Sequence, residues 1–156
     1  MDDGNRELIK SDKKDLFPVG RLDKDTEGLL LITNNGKMAH DLLSPKKHVD
    51  KRYFAKVKGR VTDDTIQIFA TGIQIEEDFV TLPAQLEVIT SDEFSEVYVT
   101  IREGKFHQIK RMFKAVNMEV LYLKRISMKN LILDDNLSLG EYRRLTLEEI
   151  RDLLAK

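Results

Sequence analysis

Apolar residues run unbroken through Leu29, Leu30, Leu31 and Ile32, so residues 27–33 predict a single buried strand. The Asn34-Asn35-Gly36 that follows is a turn signal. Residues 37–43 predict a short helix, stopped by Ser44-Pro45. Between 52 and 59 the pattern alternates, with Tyr53, Ala55 and Val57 on one face and Phe54, Lys56 and Lys58 on the other, as in a half-exposed strand. Thr62 is a predicted N-cap for a helix over 63–70; Asp63 and Asp64 suit its positive end and Gly72 its stop. Residues 84–90 and 96–102 predict two strands joined by a hairpin through Ser91-Asp92-Glu93-Phe94-Ser95. After Glu103-Gly104 the period changes. Ile109, Met112, Phe113 and Val116 recur at helical spacing, with Lys110, Arg111 and Lys114 on the other faces. Gly104 is the expected point of the sharp strand-to-helix turn. Strands are predicted at 119–126 and 129–133, and Thr146-Leu147-Glu148-Glu149 opens a last helix to about Leu154 through a capping box. Helices mixed with hairpin-linked strands predict an α+β fold rather than a doubly wound parallel sheet.

A chain of 156 residues, 41% hydrophobic, suits one domain spanning 1–156 with a usable core. It has no cysteine, which removes disulfides and thiolate metal sites and points to a reducing, cytoplasmic setting. No apolar run is long enough to span a membrane. Residues 1–10 lack the apolar stretch of a secretory leader. His40, His48 and His107 have no metal-ligand spacing, and no glycine-rich phosphate loop is present, so zinc and nucleotide-cofactor chemistry drop out.

The formal net charge of −1 hides a block structure. Residues 46–60 hold seven Lys/Arg against Asp50, residues 62–96 hold nine acids and no Lys/Arg, and residues 102–125 hold seven Lys/Arg against Glu103 and Glu119. Two basic blocks that meet in space make a positive groove for nucleic acid; two that stay apart are solvated faces.

Three stretches offer chemistry. In Gly20-Arg21-Leu22-Asp23, a carboxylate near a cation is either a surface turn or an ionised nucleophile or base. Tyr53 lies among cations on its strand, and is either core or a base-stacking ring. Residues 102–114 form either a solvated basic helix face or an anion site at a helix N-terminus, where a cation could pair with a carboxylate from elsewhere. A carboxylate-based hydrolase fits poorly. Such enzymes need a second carboxylate across the substrate, and Asp25 and Glu27 lie in the same local segment as Asp23.

Taken in order, "FPVGRLDKDTEGLLLITNNG", "KRYFAKVKG", "EGKFHQIKRMF" and "GEYRRLTLEEI" resemble the RsuA-type ribosomal RNA pseudouridine synthases over residues 16–154. The resemblance implies that Asp23 is the catalytic aspartate and Tyr53 the active-site tyrosine. It implies that Lys110 is the basic partner of Asp23 and that Ile109 packs against Tyr53. It implies a substrate- and RNA-binding set of Arg21, Lys56, Lys58, His107, Gln108, Ile109 and Arg111. Arg21 would help hold the flipped nucleotide. The implied reaction converts a uridine of ribosomal RNA, or of a ribosomal subunit precursor, to pseudouridine. It uses no cofactor and no metal, and the implied fold is a mixed, largely antiparallel sheet with flanking helices and an active-site cleft across the sheet. "FHQIKRM" is more similar to the small-subunit enzymes than to the large-subunit ones. The chain lacks the S4-type domain and the first Lys-Pro strand with which the family usually begins, so it is expected to be N-terminally truncated. The alternatives are a truncated, inactive RNA-binding remnant and a large-subunit ribosomal RNA pseudouridine synthase.

Overall fold

The computed structural model describes residues 16–155. The expectations for residues 1–10 and for the absent first strand lie outside the described residues. Strands β1 (Phe17–Pro18) and β3 (Ile32–Thr33) pair antiparallel in a small sheet of their own. The main sheet runs β10 (Leu131–Ile132), β9 (Glu119–Met128), β4 (Lys51–Lys58), β8 (Phe94–Ile101), β7 (Gln85–Thr90), with β2 (Glu27–Gly28) added parallel to β9. Every other pairing in it is antiparallel, as the family resemblance implied. Strands β5 (Gln74–Glu76) and β6 (Phe79–Val80) form a separate ribbon. The helices are α1 (Gly36–Leu43), α2 (Asp63–Thr71), α3 (Gln108–Ala115) and α4 (Leu147–Leu154).

Local chemistry sets most of these boundaries. The Asn35 side chain accepts from Met38 N and starts α1. Thr62 caps α2 reciprocally with Thr65, and Gly72, at φ +97°, ends it. A Cβ on Gly72 would lie 2.5 Å from the Thr81 carbonyl oxygen. Thr146 and Glu149 close the predicted capping box on α4.

Two clusters hold the domain. The larger packs Phe69 of α2 and Ile109, Met112 and Phe113 of α3 onto Ala55, Val57, Val97, Val99 and Leu123 of the sheet. Phe69 and Phe113 are fully buried with ring centroids 4.8 Å apart. Burial of each such ring is worth about 1.5–3 kcal/mol. The smaller cluster joins Val19, Leu31, Ala39, Leu42, Met128, Leu131 and Leu153 at the β10 side. On the face opposite the larger cluster, Phe54 meets Tyr98 and Tyr122 edge to face.

The stretch 27–33 corrects the expectation of one buried strand. Strands β2 and β3 are two residues each, and Leu30 and Ile32 are exposed while Leu31 is buried. Gly28 sits at φ +109° with its backbone so near Arg125 that a Cβ would come within 2.1 Å of the Arg125 carbonyl oxygen. That contact diverts the chain from a continuous strand. The turn into α3 is likewise made elsewhere than predicted. His107 takes the left-handed conformation at φ 49°, while Gly104 has no positive φ and open space around its Cα.

Candidate active site

The segment with Gly20-Arg21-Leu22-Asp23 is a loop that leaves the smaller cluster at Val19 and returns to it at Leu31. Val19 N donates to Leu31 O at 2.8 Å and closes its base. Residues 23–26 turn sharply, with Thr26 N donating to Asp23 O at 2.9 Å. Beyond the turn the loop is stitched to β9. Leu29 N donates to Arg125 O at 2.8 Å, Arg125 Nε to Leu29 O at 2.9 Å, and Tyr122 Oη to Glu27 Oε2 at 2.8 Å. Charged residues precede a greasy segment here because the loop anchors apolar residues at its base and presents its turn to another element.

That element is the N-terminus of α3. His107 is the N-cap residue, with Nε2 3.8 Å from Asp23 Oδ1. Lys110, on the first turn, has Nζ 3.9 Å from Asp23 Oδ2. Asp23 therefore lies at the positive end of the helix with a cation beside it. Its side chain is 27% exposed and that of Lys110 24%, so the pair is neither dry nor freely solvated. The Lys110 ammonium also donates to Asp25, and this bond holds the Asp25 carboxyl below the usual carboxylate range. Asp25 is the member of the group that the sequence did not single out. It lies in the same local segment as Asp23, and the turn at 23–26 brings both acids to one lysine. The left-handed start at His107 costs about 1–2 kcal/mol for an L-residue, a kind of strain found at functional sites.

Tyr53 stands on β4, partly buried against the larger cluster, which also contains the buried Ile109. In register it faces Val99 on one side and Arg125 on the other. Arg125 is thus the partner of both Tyr53 and Gly28, so one transverse row links the tyrosine strand to the Asp23 loop. Arg21 is exposed and makes no ion pair with the described residues. Gln108 and Arg111 are engaged within the protein. Gln108 is buried, with Nε2 3.2 Å from Glu103 Oε1. Arg111 donates to Ile75 O at 2.7 Å and pairs with Glu76 at 3.0 Å. Lys56 and Lys58 are not brought to Asp23. Lys56 Nζ lies 5.6 Å over the Tyr122 ring on the opposite sheet face. Lys58 lines an open groove with Lys114, Asn117 and Met118 at the C-terminal end of α3, about 12 Å from its start by helical rise.

Among the described residues, no group of three or more His, Asp or Glu side chains could hold a metal ion. No described helix is long and apolar enough to cross a membrane.

Residues 4–115 match the family model described as RNA pseudouridylate synthase. An uncharacterized RNA pseudouridine synthase, YtzG, from Bacillus subtilis is 54% identical over 135 residues, covering 86% of this chain and 56% of the relative. The ribosomal small subunit pseudouridine synthase A of Escherichia coli K12 is 45% identical over 140 residues, covering 89% of this chain and 59% of the relative. The chain thus spans somewhat over half the length of these relatives. A solved structure described as a pseudouridylate synthase superposes with a TM-score of 0.84 at 40% identity, covering 90% of this chain and 60% of that one. The Cbf5 of an archaeal box H/ACA sRNP complex with Nop10 shares the fold alone, at TM-score 0.60 and 17% identity. With the family model matched over most of its length, the Asp23 loop included, the chain belongs to the RNA pseudouridylate synthase family.

Proposed function

We propose that the chain isomerises a uridine of small-subunit ribosomal RNA to pseudouridine, with Asp23 as the catalytic carboxylate. The observation that carries this is Asp23 at the N-terminus of α3 with Lys110 Nζ at 3.9 Å, on a loop tied through Arg125 to the Tyr53 strand. In the reaction the N1–C1′ bond breaks, the uracil turns, C5 bonds to C1′, the C5 proton leaves to solvent, and N1 takes up a proton in its place. Asp23 acts on the ribose, by attack at C1′ or by removing the 2′ proton. Tyr53 stacks on the uracil and assists removal of the C5 proton. Lys110 is the cation that pairs with Asp23. The target atoms are out of reach in a stacked helix, so the nucleotide is extruded, and Arg21 at the rim helps hold it there. The domain works without a cofactor, on ribosomal RNA or an assembling subunit in the cytoplasm. The relatives named for the small subunit support that choice of RNA.

Lys110 is shared between two acids, and magnitudes decide what that means. The Asp25 side chain is 74% exposed, so its bond to Lys110 is worth about 1 kcal/mol or less. Substrate that buries Asp23 can draw Lys110 across at little cost. The test is tritium release from C5-labelled small-subunit ribosomal RNA. Asp23→Asn is expected to lose turnover by several orders of magnitude with folding intact, while Asp25→Asn keeps it. Equal release by wild type and Asp23→Asn would remove Asp23 from the mechanism. Absence of release from the wild-type chain would overturn the proposal.

A further inference from the structure

Phe106 has no part in the chemistry above, yet it is among the most exposed large apolar side chains described, at 73%. Its position is not that of a loose loop tip. The ring lies flat on the imidazole of His107, centroids 3.8 Å apart and planes 16° apart. The same imidazole is 3.8 Å from Asp23 Oδ1. One face of the Phe106 ring is therefore covered by a side chain of the site, and the ring stands largely in solvent at the site's edge.

The backbone beneath the ring is clamped. Arg111 Nη1 donates to Phe106 O at 2.9 Å, while its Nη2 reaches Ile75 O, tying the loop to the β5 strand. Lys105 N donates to the Gln108 side chain at 3.1 Å, and Gln108 N to Lys105 O at 3.0 Å. Lys105 Nζ lies 4.4 Å over the Phe79 ring. An apolar ring on a clamped backbone in water, next to Lys105 in the chain and joined through its carbonyl to Arg111, suits a flat π-surface that carries negative charge beside it. A nucleobase with its phosphates has those properties.

We infer that Phe106 is a stacking platform for the base next to the extruded uridine. The neighbouring base lies on the outer face of Phe106 as the third layer of a stack whose innermost ring, His107, faces Asp23. The stack thereby fixes the strand one nucleotide from the reacting ribose and offsets part of the unstacking cost of extrusion. Phe106 is a positioning residue in this scheme and touches no reacting atom. The inference rests on the pseudouridine synthase reading, but its test can be separated from it.

The chain contains no tryptophan, so Phe106→Trp places a single indole at the platform. Titration with in vitro transcribed small-subunit ribosomal RNA is expected to quench its emission strongly, as stacking on a base does. Phe106→Ala and Phe106→Leu are both expected to raise KM for C5 tritium release on the order of 10- to 100-fold. Phe106→Tyr, which keeps the π-face, should restore it. Emission unchanged at saturating RNA, or a leucine variant that binds as well as wild type, would overturn the platform. Absence of tritium release from the wild-type chain sinks the enzyme reading instead, and the quenching titration still decides the stack.

Discussion

Lys51 and Arg125 stand on the same sheet face as Tyr53, each 3% exposed. Lys51 Nζ and Arg125 Nη2 are buried with no hydrogen-bond partner among the described residues. Burial, reinforced by the Arg125 charge, pushes the Lys51 ammonium below its ordinary range. Its folded-state pKa is thus depressed relative to the unfolded chain. The unfolded state binds more protons between the two values, and folding stability rises with pH through that window, which closes near the ordinary lysine pKa. Lys51→Met is expected to stabilise the domain by about 1–3 kcal/mol near neutral pH. The advantage should shrink as the solution is made alkaline. Urea unfolding of both chains at neutral and alkaline pH measures it. A wild type more stable than the variant at neutral pH would mean that Lys51 has a partner in the folded chain. Nothing in a sequence distinguishes this lysine from its exposed neighbours Lys56 and Lys58, since alternation places Lys51 on the apolar face only once the strand's start is known.

At the level of elements, α4 depends on a charge as well as a cap. Glu149 accepts from Thr146 N and from Arg143, and the Arg143 guanidinium, then the Thr146 backbone, hold its carboxyl down at about 2. A depressed carboxyl contributes stability that is present above its ordinary pKa and lost as pH falls towards the folded value. Glu149→Gln is expected to leave α4 formed at neutral pH but frayed, with faster amide exchange over residues 147–154, and to flatten its loss between about pH 4.5 and 2. Amide exchange as steep in acid for the variant as for wild type would show that another group controls the helix. This cap was legible in the sequence because it involves four consecutive residues. The same holds for Thr62 and Gly72 around α2. The break at Gly28 was not legible, because it comes from contact with Arg125, far along the chain. The turn into α3 was assigned to Gly104 because glycine is the permissive residue. Only the packing around His107 shows that a histidine takes the left-handed step. For the site, the motifs marked Asp23, Tyr53 and Lys110 by resemblance. The sharing of Lys110 with Asp25 needed three dimensions.

Over the whole molecule, the two basic blocks do meet, because β4 and β9 are neighbours, with Phe54 opposite Lys124 and Lys56 opposite Tyr122. The acidic block lies against them and takes part of their charge. Arg52 pairs with Glu87, and Arg60 with Asp92 at 3.1 Å. Lys56, Lys58 and Lys114 are among the basic-block cations that form no ion pair with the described residues, which leaves them available to phosphate. Replacing Lys56 and Lys58 together by alanine is expected to weaken RNA binding and to lower the slope of log affinity against log salt by roughly 1 to 2. An unaltered slope would place the RNA on the Phe106 side alone. The stitch between residues 27–29 and Arg125 has a temporal consequence. Its side-chain bond joins residues 96 apart, and the bond from Lys110 to Asp25 spans 85. Contacts of such span close late, after the shorter hairpins that need less loop entropy. While the chain is still being made, the Asp23 turn is a loop with a base but no far support. It gains that support only when residue 125 has left the ribosome, so the site is completed after most of the sheet that carries it.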